Sequence, residues 1–165
     1  NKKDFFTILI LGDYLEKNTF YQLELLNNVP NQAIKKVNLI FKSHPACNID
    51  LKLFKNLNIA KSRKSIFQLL PDADAAYCSS FTSASNDAYS FGLPVIIPLD
   101  PKIINLSPLK DFKYVNFIRN SRDLEKLIIK LSSKNNFSPS QRCIFNLSQD
   151  LNSWRSLLNE NDPFY

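Results

Sequence analysis

Tyr77-Cys78-Ser79-Ser80-Phe81-Thr82-Ser83-Ala84-Ser85-Asn86-Asp87-Ala88-Tyr89-Ser90-Phe91-Gly92-Leu93-Pro94-Val95-Ile96-Ile97-Pro98 reads as strand, hydroxyl-rich turn, helix, stop and strand. The apolar run that starts near Asp74 ends at Cys78, and a cluster of Ser and Thr follows. A helix is predicted from Thr82 to Phe91, where Gly92 and Pro94 stop it before the β-branched Val95-Ile96-Ile97. Backbone N–H groups at a helix N-terminus, set beside several hydroxyls, suit a phosphate. The same residues are also ordinary N-caps, so the stretch by itself supports either reading.

Working back toward the amino terminus, Phe5 to Leu11 is a continuous apolar run closed by Gly12, as expected of a buried parallel strand and its turn. Glycine occurs only twice in the chain, so Gly12 marks either a close backbone approach or a plain turn. Asp13 and Tyr14 fall in the loop. Asn18 or Thr19 then caps a predicted helix through Asn28, ended by Val29-Pro30-Asn31. Val37 to Lys42 is the second strand, running into Ser43-His44-Pro45. Pro45 holds His44 in extended geometry at the strand's carboxyl end, with Lys42 two residues before it. A lone histidine is commonly structural, but this position is where parallel sheets bind ligands. A helical turn over Ile49 to Lys55, a short strand Leu57 to Ala60, a basic loop Lys61-Ser62-Arg63-Lys64 and a helix Ser65 to Leu70 complete the approach to Asp74.

Toward the carboxyl terminus, Asp100 to Asp111, with Pro101 and Pro108, reads as an irregular, ligand-facing connection, and Tyr114 to Ile118 as a last strand. Asn120 or Ser121 caps a helix whose Leu124, Leu127, Ile128 and Leu131 make an apolar stripe. A final helix is expected from about Pro139 to Asn159, seamed by Ile144, Leu147, Leu151, Trp154 and Leu158.

The bulk properties bound the classes. A chain of 165 residues with 44% apolar content builds one globular core without disulfides or metals. No apolar run reaches the roughly 18 residues of a membrane span. The opening Asn-Lys-Lys-Asp leads straight into a strand without a signal-peptide pattern, and the chain reads as a piece of a longer protein. Cys47, Cys78 and Cys143 are odd in number and lack metal-ligand spacing, and His44 is the single histidine, so no metal site is expected and the reduced, cytoplasmic compartment is. The net charge of +6 fits nucleic acid, an anionic membrane face or phosphorylated ligands. The basic residues are scattered and match no nucleic-acid module, so nucleic acid is not expected as a partner.

Alternating strands and helices with short connections define a doubly wound α/β domain on a parallel sheet. The core domain is assigned to residues 1–138, and residues 139–165 to its carboxyl-terminal helix and tail. Ligands of this class bind at the carboxyl edge of the sheet, which sets the turns after Gly12, at His44-Pro45 and at Thr82-Ser83 on one rim. A histidine, a nearby lysine and a helix N-terminus together point to a phosphate or diphosphate guest.

These residues also carry a resemblance. Lys42-x-His44-Pro45, Leu70-x-x-Ala73-Asp74-Ala75, Thr82-Ser83-x-x-x-Asp87-Ala88 and Gly92-x-Pro94-Val95-Ile96 resemble the carboxyl-terminal, Rossmann-like half of GT-B glycosyltransferases. Among these the His-Pro and Ser-Ser/Thr pairs are similar to those of bacterial sialyltransferases, Kdo transferases and teichoic-acid glycerophosphotransferases, makers of surface polymers. The resemblance implies that this domain binds a nucleotide-activated sugar, CMP- or UDP-linked, with no further cofactor. It implies that His44 meets the nucleotide phosphate and is the catalytic residue here, that Pro45 fixes its loop, and that Thr82 and Ser83 hold phosphate oxygens. Asp87 would bind ribose hydroxyls, Gly12 would let the phosphates approach, Lys42 would add charge, and Ala60 and Lys61 would contact the base.

The glycine-rich phosphate loop of some relatives is absent from this sequence. So is the amino-terminal GT-B half, which supplies acceptor binding and often the catalytic base, so the domain alone is expected not to turn over. Its implied partners are that missing half and a glycan or lipid-linked acceptor, at or near the inner face of the membrane. Two alternatives stand beside this one: a non-hydrolysing nucleotide-sugar epimerase, which shares the fold and a His-Pro-like element, and a non-catalytic scaffold that binds protein through the Trp154 helix or the Asp100 to Asp111 loop.

Overall fold

The computed structural model describes residues 5–133, 140–142 and 144. Within them the expected alternation folds into six parallel strands. These are β1 (Phe6–Leu11), β2 (Val37–Lys42), β3 (Ile59–Lys61), β4 (Ala75–Cys78), β5 (Val95–Pro98) and β6 (Val115–Ile118). They lie in the order β3-β2-β1-β4-β5-β6, and all five pairings are parallel. The order reverses between β1 and β4, so the turns leaving those two strands diverge and open a crevice at their carboxyl ends.

The helices are α1 (Glu16–Asn27), α2 (Asn31–Ile34), α3 (Ile66–Leu69), α4 (Ala84–Phe91) and α5 (Ser121–Ser132). Alternate strand residues face opposite layers, as the twofold period of a strand requires. Ile8, Ile10, Leu39, Phe41, Ala75, Tyr77 and Ile96 pack with Leu23 and Leu26 of α1, Ile34 of α2, and Leu124 and Ile128 of α5. Leu9, Leu11, Ala76, Cys78, Val95 and Ile97 pack on the other face with Leu69 of α3 and Ala84, Ala88 and Tyr89 of α4. The sheet is therefore covered on both sides, which is why its strands read as continuous apolar runs. No described helix is long and apolar enough to cross a membrane.

Local signals set several boundaries. Ser65 and Gln68 form a reciprocal capping box on α3, and the Asn120 side chain caps α5 by accepting from the Asp123 N–H at 2.9 Å. Gly92 ends α4 in the left-handed region at φ 105°, with Leu93 N–H returning to the Ala88 carbonyl at 3.0 Å.

Other expectations are corrected. Neither Asn18 nor Thr19 caps α1, which starts at Glu16 behind an uncapped Leu15; both side chains are buried inside its first turns. α2 follows Pro30 where only a helix end was expected, and the predicted turn over Ile49 to Lys55 shrinks to a 3₁₀ turn at Leu51–Leu53. β3 starts two residues later than predicted and ends one later, so Lys61 belongs to a strand and not to the basic loop. The helix expected to start at Ser65 becomes α3 and a 3₁₀ turn at Leu70–Asp72, shaped by Pro71. The final helix cannot begin at Pro139, because Ser140 to Arg142 are not helical. Their backbone lies against α4, with Arg142 donating to the Ser90 carbonyl at 2.9 Å and its guanidinium to the Leu93 carbonyl at 2.9 Å. The guanidinium also stacks 4.3 Å from the centre of the Tyr114 ring. Leu147, Leu151, Trp154 and Leu158 lie outside the described residues, as does Cys143.

Candidate nucleotide site at the strand-order reversal

The rim is built from three turns that leave neighbouring strands. β1 lies between β2 and β4, with Leu11 paired to Lys42 on one side and to Cys78 on the other. Gly12 follows, its N–H donating to the Lys42 carbonyl at 3.0 Å. A Cβ at Gly12 would lie 3.2 Å from the Phe41 ring and 3.4 Å from Thr19 Oγ1, so the close approach that glycine permits here is to the protein's own side chains. Gly12, Lys42, His44 and Pro45 thus gather on one side of the crevice, and Thr82, Ser83 and Asp87 follow β4 on the other. Ala60 and Lys61 lie farther out, on the edge strand beside Ile40 and Phe41.

His44 is half-buried, and its Nδ1 accepts a hydrogen bond from the Ala46 N–H at 3.1 Å. An accepting Nδ1 requires the neutral ring to carry its proton on Nε2, which leaves that N–H free to donate to a guest. The exposed Tyr14 ring stands edge-on to the imidazole at 6.2 Å between centroids. Pro45 and the short turn behind it, closed by Cys47 N–H to the His44 carbonyl at 3.0 Å, fix the ring's base.

The β4–α4 turn divides its polar groups. Thr82 Oγ1 accepts from the Ala84 N–H at 3.3 Å, and the Thr82 carbonyl accepts from the Ser85 N–H at 3.3 Å and the Ser85 hydroxyl at 2.8 Å. The Ser83 carbonyl accepts from the Asn86 N–H at 2.9 Å. Ser83 stands at the N-cap position without capping, because its backbone is already helical there. Ser80 and Ser83 are left with backbone N–H and hydroxyl groups that hold no hydrogen bond within the described residues. Thr82, expected to hold phosphate, is partly occupied by the turn itself, and Ser80 carries the free donors that sequence reasoning did not single out. Asp87 sits in the first turn of α4, where burial pushes its carboxyl above the ordinary range. That carboxylate and, more strongly, burial also push the Cys78 thiol up, which makes this cysteine an inert core group.

The residue that organises the crevice is Asp13, which the sequence placed only in a loop. It is 0% exposed. Its Oδ1 accepts from the Leu15 N–H at 2.9 Å, and its Oδ2 accepts from Asn18 Nδ2 at 3.2 Å and from the Ser79 hydroxyl. Its own N–H donates to Thr19 Oγ1 at 2.9 Å. One carboxyl therefore fastens the turn after β1, the first turn of α1 and the turn after β4. Beneath it Gln22, also buried, donates from Nε2 to the Tyr77 carbonyl at 2.6 Å and to the Leu11 carbonyl at 3.4 Å, bridging the same two strands from below. The Asp13 to Ser79 link spans 66 residues, so no local spacing announces it. Among the described residues no three His, Cys, Asp or Glu side chains group as metal ligands.

No protein-family model matches the chain, and no curated protein does. Solved structures do. The chain is similar to the catalytic domain of cholesterol-α-glucosyltransferase from Helicobacter pylori at 18% identity and a TM-score of 0.55, covering 76% of this chain and 85% of that one. It is also similar to the glycosyltransferase SnogD from Streptomyces nogalater at 13% identity and a TM-score of 0.52, covering 82% of this chain and 40% of that one. Identity at this level speaks to fold and not to chemistry. The architecture, six parallel strands with helices on both faces and a single reversal of order, matches a Rossmann-like half of the GT-B fold.

Proposed function

We propose that this chain is the donor-binding domain of a glycosyltransferase that builds a bacterial surface polysaccharide from a CMP- or UDP-linked sugar. The observation that carries the reading is the placing of unused donors on both sides of the order reversal. Within the described residues His44 Nε2 is free on one side, and the N–H and hydroxyl groups of Ser80 and Ser83 are free on the other. The turns that bear them leave strands two places apart, about 10 Å at the usual spacing, a gap that a nucleoside phosphate bridges. Lys42, the last residue of β2, supports the same reading by adding a cation at the carboxyl end of that strand.

In this reading the phosphate lies between His44 and the α4 N-terminus, Asp87 accepts from ribose hydroxyls, and Ala60 and Lys61 border the base. An acceptor hydroxyl attacks the anomeric carbon of the donor. The bond from that carbon to the phosphate oxygen breaks, and the electron pair leaves with the nucleotide. The His44 Nε2–H and the helix N-terminus stabilise the charge that gathers on the departing phosphate. The acceptor site and its base belong to a partner domain, and the intact enzyme works in the cytoplasm, beside the inner face of the membrane where a lipid-linked acceptor resides.

The test is stoichiometry in the full-length enzyme. Transfer releases one free nucleotide for each glycosidic bond formed, and His44→Ala abolishes that release while the protein stays folded. Interconversion of two sugar nucleotides without release would instead identify an epimerase. Unchanged activity in His44→Ala would remove the histidine from the mechanism.

A further inference from the structure

A hollow of about 610 Å³ opens on the edge of the sheet opposite the rim. Its origin is a mismatch in strand length. β3 joins β2 only from Leu39 onward, so Val37 and Asn38 project past the end of β3 and leave a notch between α2 and the loop that precedes β3. Leu39, Ile34 and Val37 form its floor, and Phe5 stands at its wall, 54% exposed. The remaining lining is unusual in kind. Besides the strand edge at Asn38, it consists of the amide residues Asn31, Gln32, Asn56 and Asn58 and of Lys35 and Lys55, with no carboxylate among the described residues.

Most of these amides are uncommitted. Asn56 is tied to the end of α1, its N–H donating to Asn27 Oδ1 at 3.1 Å and its Nδ2 to the Asn27 carbonyl at 3.3 Å. The side chains of Asn31, Gln32, Asn38 and Asn58 make no hydrogen bond within the described residues, and neither lysine is ion-paired there. Amides that both donate and accept match the hydroxyls of a sugar ring, and an aromatic edge over an aliphatic floor matches its less polar face. Two lysines that face no carboxylate among the described residues add a demand for negative charge.

We infer that this notch is a second binding site, which takes a small anionic saccharide, a sugar bearing a phosphate or a carboxylate. It lies the length of β2 from His44, about 17 Å at ~3.3 Å per residue, so a sugar held there is not the one undergoing chemistry. The inference rests on the notch alone and stands or falls independently of the donor-site reading.

Titration of the ¹⁵N-labelled chain with glucose 6-phosphate, glucuronate, glucose and inorganic phosphate, read by NMR, tests it. Glucose 6-phosphate and glucuronate are expected to shift the side-chain amide signals of Asn31, Gln32 and Asn58. Glucose is expected to bind about tenfold more weakly, as is the Lys35→Glu, Lys55→Glu double variant toward the anions. Asn58→Ala, at an exposed position, reduces affinity for all three sugars. His44→Ala leaves the titration unchanged. Absence of shifts at tens of millimolar ligand would overturn the inference. So would equal binding of inorganic phosphate, indifference to the lysine reversals, or shifts confined to the His44 rim.

Discussion

Removing the Asp13 carboxyl is the perturbation the structure makes most specific. In Asp13→Ala the half-buried Leu15 N–H and two buried donors, Asn18 Nδ2 and the Ser79 hydroxyl, lose their acceptor. At about 1–3 kcal/mol for each donor left unmade, and allowing the Ser79 hydroxyl to turn elsewhere, the expected loss is about 2–6 kcal/mol. That is a large part of the ~5–15 kcal/mol that holds a domain of this size together. Asp13→Asn keeps the shape and the acceptor for Leu15, but sets an NH₂ against two groups that already donate. Rotation of the Ser79 hydroxyl relieves one conflict, and the expected loss is about 1–2 kcal/mol. Ser79→Ala removes the link from the far side at about 1 kcal/mol. Urea unfolding with an unchanged denaturant slope measures each loss. Because Asp13 and Ser79 touch, the Asp13→Asn, Ser79→Ala double variant should fall short of additivity by more than about 0.5 kcal/mol. A loss under about 1 kcal/mol in Asp13→Ala, or strict additivity in the cycle, would refute the view that this carboxyl ties the two turns together.

Three other changes have defined outcomes. Gly92→Ala places a Cβ 2.5 Å from the Ser140 carbonyl oxygen at φ 105°, so left-handed strain and overpacking together should cost about 2–4 kcal/mol in thermal or urea unfolding. Gly12→Ala presses on the Phe41 ring at 3.2 Å and should cost about 1–2 kcal/mol, read by urea unfolding; a stability gain would mean that the ring yields freely. Asp87→Asn should act with opposite signs on stability and binding. Burial holds the folded-state pKa above the ordinary value of 3.8, so the folded form binds more protons than the unfolded form between those two values, and stability falls as pH rises through that window. The asparagine variant should therefore match the parent at pH below 3.8, exceed it in melting temperature at pH 7, and yet bind nucleotide more weakly.

The sheet was legible because its strands carry their own punctuation. Val37 to Lys42, Ala75 to Cys78 and Val95 to Pro98 have the ends expected of them, bounded by Pro45, by Pro71-Asp72 and by Gly92-x-Pro94. The stripe of α5 and its Asn120 cap were equally local. What escaped was whatever depends on strand order. Asn18 and Thr19 look like caps, yet Asp13, five and six residues earlier, claims both side chains, Asn18 through its carboxyl and Thr19 through its backbone N–H, and the helix starts at Glu16 instead. Asp13 and Ser79 gain meaning only once β1 and β4 are neighbours. The division of labour in Ser79 to Ser83 depends on how the turn satisfies itself, which composition does not reveal. α2 was missed for a different reason: four residues after a proline carry too little periodicity to read.

The central claim, that the rim at the strand-order reversal binds a nucleotide, is met most directly by titrating the chain with CMP, CDP, UDP and GDP while following backbone amide signals. The account predicts that one of them binds with clear preference, that the amides of Ser80 and Ser83 shift most, and that His44→Ala weakens this binding about tenfold by removing one charge-assisted hydrogen bond. Absence of binding by all four at millimolar concentration, or binding that leaves Ser80, Ser83 and His44 untouched, would contradict it.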